Sequence, residues 1–350
     1  MKCYKKSFGK LPSGEKVHIF HLENDNGVVL ELIEYGAIIH RLIVPDRSGA
    51  CEDVVMGQDS LEKYINNPSC SAAVVGRCAN RIADATFSIN GQRYTLEQNN
   101  GTNNLHSGSG NYASKLFSGI INEEERDKVS VTLYFKDTGQ GGFPGNVENW
   151  VTYSLDNEGT VEIYYKSVPD TDTVINLTNH AYFNLSGHKS GSIKDHLLQI
   201  NSEYYLPNGK MALPTGEVHR VAGTDMDFNE FRPIGEGLNS GETQIVKHGG
   251  YDHNYCLCGR GYRKVAEVRD PKSGRGMEVY TDMPGMQLYT ANADWKNLPG
   301  KDGALYHKYG GLCLETQFFP NAVNASHFPS PIFRAGEVFE SVTAFKFYTY

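Results

Sequence analysis

Short runs of alternating apolar and polar residues recur along the whole chain. Residues 85–89 and 92–96 flank Asn90-Gly91, the dipeptide favoured in a type I′ hairpin turn because both central residues take positive φ. Residues 150–155 and 161–165 flank Asp156-Asn157-Glu158-Gly159, a second hairpin with a longer loop. Residues 129–135, 277–280, 287–290 and 342–347 alternate in the same manner. Period-2 runs joined by Gly, Asn, Asp and Pro predict antiparallel sheets with one solvated face. Helical patterns are scarce. Ser60-Leu61-Glu62-Lys63-Tyr64 begins one short helix, with Ser60 as its N-cap. Strands do not alternate with long amphipathic helices, so a doubly wound α/β fold is disfavoured. No linker, repeat or charge block interrupts this texture. The expectation is an all-β chain: residues 1–350 as a single domain, folded as a large antiparallel β-sandwich with few short helices.

Composition narrows the class of partner. Hydrophobic residues make up 39% of the 350 and charged residues 21%, which suits a sizeable core and excludes a disordered chain. The net charge of −8 and the lack of a clustered basic stretch argue against a nucleic-acid partner. No apolar run approaches the roughly 18 residues of a membrane span. The lysines near Met1 have no apolar segment behind them, which argues against a secretory signal. Seven cysteines at irregular spacings suggest neither a disulfide framework nor a zinc site; Cys256 and Cys258 share a strand face as ordinary packed thiols. A cytoplasmic location is expected. The oligomeric state is left open between a monomer and a weak dimer.

Five polar clusters break the strand pattern: Gly76-Arg77-Cys78-Ala79-Asn80-Arg81-Ile82, Asn103-Asn104-Leu105-His106-Ser107-Gly108, Asn176-Leu177-Thr178-Asn179-His180-Ala181-Tyr182-Phe183-Asn184-Leu185, Tyr251-Asp252-His253-Asn254-Tyr255 and Leu312-Cys313-Leu314-Glu315-Thr316-Gln317-Phe318-Phe319-Pro320. Each has a bland reading. Arg81 could belong to a structural salt bridge, Asp252 could cap a turn, and lone histidines are often core residues. Glu315 stands out because so apolar a strand rarely buries a carboxylate without a partner or a task. His180 stands out among Thr178, Tyr182 and Phe183. Sugar hydroxyls call for Asn, Arg, Asp, His and Gln, and ring faces for aromatics, of which the chain has 21 Tyr and 16 Phe. A small neutral ligand, a monosaccharide, fits this mixture.

Read in order from about Gly36 to the C-terminus, the motifs resemble the aldose 1-epimerase family, the galactose mutarotases. The resemblance rests on Gly76-Arg77 with Asn80-Arg81, Asn104-Leu105-His106, Asn179-His180-Ala181-Tyr182-Phe183-Asn184-Leu185, Tyr251-Asp252-His253 and Leu314-Glu315-Thr316-Gln317. It implies a large β-sandwich, no metal or organic cofactor, and interconversion of the α- and β-anomers of free aldohexoses. Carried over by position, it implies His180 as acid and Glu315 as base. It further implies Asn80, Arg81, His106, Tyr182, Asp252 and Gln287 as sugar contacts, Gln287 from Gly285-Met286-Gln287-Leu288-Tyr289. Ser107 departs from the family's Leu-His-Gly-Gly turn.

Anomer exchange opens the pyranose ring and closes it on the other face. Opening takes a proton from the anomeric hydroxyl and gives one to the ring oxygen, so a base and an acid must act together. Ordinary pKa values of about 4.3 for Glu and about 6.5 for His make a Glu⁻/His⁺ pair workable near neutrality, and burial could raise Glu315 further. No electrons or groups move, so the chemistry needs no cofactor. A non-catalytic carbohydrate-binding module would not need both His180 and Glu315. A hexose-6-phosphate epimerase would need more cations than Arg81. A glycoside hydrolase would pair Glu315 with Asp252 and leave His180 idle. Gly108-Ser109-Gly110-Asn111-Tyr112-Ala113 matches a dinucleotide fingerprint without a surrounding βαβ unit, so the match is read as accidental. The glycosylation sequons at Asn176, Asn184 and Asn324 are read as unmodified.

Overall fold

Asn90 and Gly91 take φ of 53° and 80°, the left-handed pair that a type I′ turn needs. They join Thr86–Ile89 to Gln92–Thr95, with Ile89 opposite Gln92. The longer loop at 156–159 closes Val147–Asp156 onto Thr160–Pro169. Along the latter strand alternate residues are buried, as period-2 patterning predicts. The computed structural model describes residues 1–65, 69–123, 125–293 and 300–350, and every strand ladder in it is antiparallel.

Three sheets form the body. The first is a five-stranded meander of Lys2–Lys10, Lys16–Glu23, Val29–Ile33, Ile38–Pro45 and Cys51–Asp53. Its edge strand carries Lys2, Lys5, Lys6 and Lys10, charges that discourage pairing with another chain. The second sheet has nine strands. Its order runs Ser118–Ile121, Lys128–Asp137, Val147–Asp156, Thr160–Pro169, Phe339–Thr349, Arg275–Thr281, Arg263–Arg269, Leu197–Ile200 and Arg232–Pro233. The third has His219–Arg220, Ser202–Tyr205, Asp252–Leu257, Gly285–Tyr289 and Cys313–Gln317. One hydrophobic cluster joins all three. Phe20 and Leu32 come from the first sheet, Val151 and Ile163 from the second, and Tyr255, Met286 and Leu314 from the third.

Helix is confined to three short pieces among the described residues: Leu61–Ile65, Ile234–Leu238 and Thr243–His248. The Ser60 hydroxyl accepts the Lys63 N–H at 3.5 Å, the expected cap. None of these helices is long and apolar enough to cross a membrane. Residues 108–114 form two 3₁₀ turns, Gly108–Gly110 and Tyr112–Ser114, rather than a phosphate-binding loop. Asn176 and Asn184 are buried, beyond the reach of a glycosylating enzyme. All seven cysteines are free thiols.

Candidate active site

The third sheet supplies one wall. Its ladder sets Asn254 opposite Gln287 and Gln287 opposite Glu315, with Asp252 opposite Tyr289. Residues two apart share a face, so Asp252, Gln287, Tyr289 and Glu315 all stand on the same side. His180 arrives from a separate segment that the backbone ties to this sheet. Thr178–Asn179 pairs with Val74–Val75, and Phe183 exchanges two hydrogen bonds of 2.8 and 2.9 Å with Leu312. That double link, three residues after His180 and three before Glu315, brings the two side chains together.

Asn80, Arg81 and His106 close the other side. Arg81–Ile82 pairs with Asn104–Leu105, which places His106 beside Asn80. The His106 N–H donates to the Asn80 carbonyl at 2.9 Å, and the Asn80 N–H donates to His106 Nδ1 at 3.1 Å. Asn80 and His106 both take left-handed φ, 62° and 51°. Non-glycine residues are held there only when surrounding bonds demand it. Ser107, where the family turn has glycine, sits at φ 66°. Its hydroxyl accepts the Cys78 N–H at 2.9 Å and donates to the Cys78 carbonyl at 3.1 Å, which offsets the strain.

All eight residues expected from the sequence line one cavity of about 190 Å³. Ser69, Cys70, Leu105 and Tyr289 complete the lining. Tyr289 was legible in principle, because it lies two residues after Gln287 on a strand. Cys70 carried no such signal. Polar contacts knit the wall: Gln287 Nε2 donates to Asp252 Oδ1 at 2.7 Å and Arg81 meets Asp252 Oδ2 at 3.4 Å. Behind it, Gln317 Nε2 donates to Gln287 Oε1 and Asn254 Oδ1 at 3.2 and 3.0 Å. The Gln287 oxygen is thereby occupied, and its amide presents N–H groups to Asp252 and the cavity. Arg77 goes elsewhere: it is buried against Asp137 at 2.7 Å and serves the fold.

His180 Nε2 lies 3.6 Å from Glu315 Oε1, with the two residues only 6% and 2% exposed. Burial acts on both in the same sense, against charge. It pushes Glu315 up to about 8, with the Asp252 charge adding to the rise and Arg81 opposing it. It pulls His180 down to about 4. The rise at Glu315 is the one that burial of a carboxyl predicts, and the fall at His180 comes from the same desolvation. Burial works against the charge of each member, and so toward the neutral form of both. His106 is likewise held well below its usual range, first by burial and then by His180 and Arg81.

Ligand atoms of His106, His180 and Glu315 lie within 4.8 Å of one another, close enough to consider a metal ion. Their protonation does not suit one. His106 Nδ1 accepts a backbone N–H, so the neutral ring carries its proton on Nε2 and has no bare nitrogen left to offer. A metal needs bare donors. As arranged, these groups instead offer and accept hydrogen bonds, which is what hydroxyls require.

A β-sandwich whose cavity gathers amide, guanidinium, carboxyl and imidazole groups around a buried carboxyl–imidazole pair has the polar lining that a carbohydrate enzyme needs. The comparisons agree: the chain belongs to the aldose 1-epimerase family, whose model matches residues 18–346. It is an isomerase that works on sugars. It is 41% identical over 344 residues to the galactose mutarotase of Bos taurus, covering 97% of each chain. It is 33% identical over 339 residues to the aldose 1-epimerase of Haemophilus influenzae, covering 96% of this chain and 97% of that one. The crystal structure of galactose 1-epimerase from Lactobacillus acidophilus superposes with a TM-score of 0.88 at 26% identity, covering 99% of both chains.

Proposed function

We propose that His180 and Glu315 perform the ring opening and closing of free aldohexoses such as galactose and glucose, His180 as acid and Glu315 as base. The observation that carries this reading is their 3.6 Å approach inside the cavity that all the expected sugar contacts line. Glu315 takes the proton of the anomeric hydroxyl while His180 Nε2 gives one to the ring oxygen. Because the two sugar oxygens share one carbon, a closely spaced acid and base can reach both. Opening turns Glu⁻/His⁺ into protonated Glu315 and neutral His180. Burial disfavours both charges of the Glu⁻/His⁺ state, so opening, which neutralises the pair, relieves that cost. The aldehyde then turns about its C1–C2 bond, and closure returns both protons.

Asn80, Arg81, His106, Tyr182, Asp252 and Gln287 hold the body of the sugar during that turn, leaving C1 free. The bovine relative's name supports galactose as a substrate. Arg81 is the sole Lys or Arg lining the cavity among the described residues, and it already faces Asp252. This favours an unphosphorylated sugar. Segments from Ser69 to Glu315 contribute to the cavity, which favours the whole chain acting as one catalytic unit. The free thiols fit a reducing, cytoplasmic setting.

Polarimetry of freshly dissolved α-D-galactose tests the assignment. His180→Asn should cut turnover by at least about 10² with the fold intact, on the scale of general acid catalysis. A folded double variant, His180→Asn with Glu315→Gln, that retained full activity would sink the reading.

A further inference from the structure

The His180 ring is enclosed. Tyr182 stacks on it with centroids 4.9 Å apart and 21° between planes. His106 and Tyr289 meet it edge-on at 5.5 and 6.3 Å. Its two nitrogens face two side chains of a single strand. Glu315 Oε1 stands 3.6 Å from Nε2, and Cys313 Sγ stands 3.4 Å from Nδ1. Cys313 and Glu315 are two apart on Cys313–Gln317, so the pleat sends both toward the same imidazole. Cys313 is fully buried and does not line the cavity, and no step of the ring opening uses a thiol.

An imidazole turned over about its Cβ–Cγ bond exchanges each nitrogen for a carbon. The flanking aromatic rings pack equally well against either orientation, because they contact faces and edges of similar shape. A polar partner at Nδ1 does distinguish them. We propose that Cys313 is a positioning residue, whose Sγ holds Nδ1 and thereby aims Nε2 at the reacting oxygens beside Glu315. The proposal rests on His180 being the acid.

The choice of a thiol has a chemical reason. During turnover His180 alternates between protonated and neutral forms. The proton that moves is on Nε2, so Nδ1 keeps its hydrogen in both forms, and the thiol sulfur accepts from it throughout without the ring having to turn. Burial keeps this thiol protonated, with its pKa well above the ordinary range. A carboxylate at the same place would stabilise the imidazolium and make it a poorer acid toward a weakly basic ring oxygen.

Three variants test the idea by polarimetry over a range of galactose concentrations, with thermal melting to confirm folding. Cys313→Ala leaves the buried N–H of the imidazolium without its side-chain partner, and should lower kcat about tenfold with KM within about twofold. Cys313→Val fills the space without a hydrogen bond and should match it. Cys313→Ser restores a donor and acceptor and should recover kcat to within about threefold of wild type. Long-range ¹H–¹⁵N spectra should show one set of His180 ring signals in the wild type and the serine variant, and altered signals in the other two. Alanine and valine variants with wild-type kcat would overturn the proposal, as would a rise in KM alone or a serine variant as impaired as alanine. His180→Asn, measured alongside, keeps the two readings apart. If that variant stays active, the acid assignment fails; if it is inactive while Cys313→Ala is unimpaired, only the positioning role fails.

Discussion

Replacing Glu315 by glutamine keeps the side chain's shape and removes its titration, with two consequences of opposite sign. Glutamine cannot take the proton of the anomeric hydroxyl. Turnover should fall by at least about 10², the lower end for a general base, or about 2.7 kcal/mol of barrier. The fold should gain. An unfolded chain releases this proton near pH 4.5, whereas in the folded protein burial delays release to about 8. Between those values the folded state binds a proton that the unfolded state lacks, so stability falls as pH rises. The loss is about 1.4 kcal/mol per pH unit, on the order of 5 kcal/mol across the window. Glutamine escapes it. His180 acts in the other direction, because its proton leaves the folded protein near pH 4 and the unfolded chain near 6.5. Stability rises with pH over that range, in wild type and variant alike, and cancels in the comparison. Urea denaturation at about pH 5 and about pH 8.5 reads the difference. Glu315→Gln should be the more stable protein at the higher pH, by several kcal/mol more than at the lower. A stability gap that does not widen with pH would refute the burial argument, and an undiminished optical-rotation rate would refute the base.

The wild-type rate should follow a bell in pH, because only the singly protonated pair can open a ring. Its limbs should lie near 4 and 8 as apparent values of the pair, and a rate flat from about pH 3 to 10 would contradict the coupling. Asp252→Asn removes a charge that raises both Glu315 and His180, so both limbs should move to lower pH. The same variant should raise KM for galactose about tenfold or more, the scale of a lost charge-assisted hydrogen bond, and steady-state polarimetry checks both effects. Arg77→Met strips the buried Asp137 of its partner and should cost the fold about 3–5 kcal/mol in urea denaturation. An Arg77→Met protein as stable as wild type would refute the stabilising role of the Arg77–Asp137 pair.

The amino-acid sequence by itself determined the strands, the turns and the inventory of the site. The Asn90-Gly91 turn and the period-2 runs are local signals, carried by φ preferences and by which face a side chain takes. They reappear with their boundaries shifted by up to four residues. The eight residues that line the cavity were legible because Glu315 in an apolar strand and His180 among aromatics are costly placements, and their neighbours match a family pattern. The tertiary structure alone decided what those residues are to one another. Nothing local says that Phe183 bonds to Leu312, yet that link sets His180 against Glu315. The extent of the burial effect on the pair was out of reach for the same reason. Desolvation depends on every element packed around a group, and here it presses both members of the pair toward their neutral forms. Cys313 looked like one more apolar strand residue. Only the fold set its sulfur at Nδ1 of His180, because a contact between distant segments is fixed by packing and not by spacing along the chain.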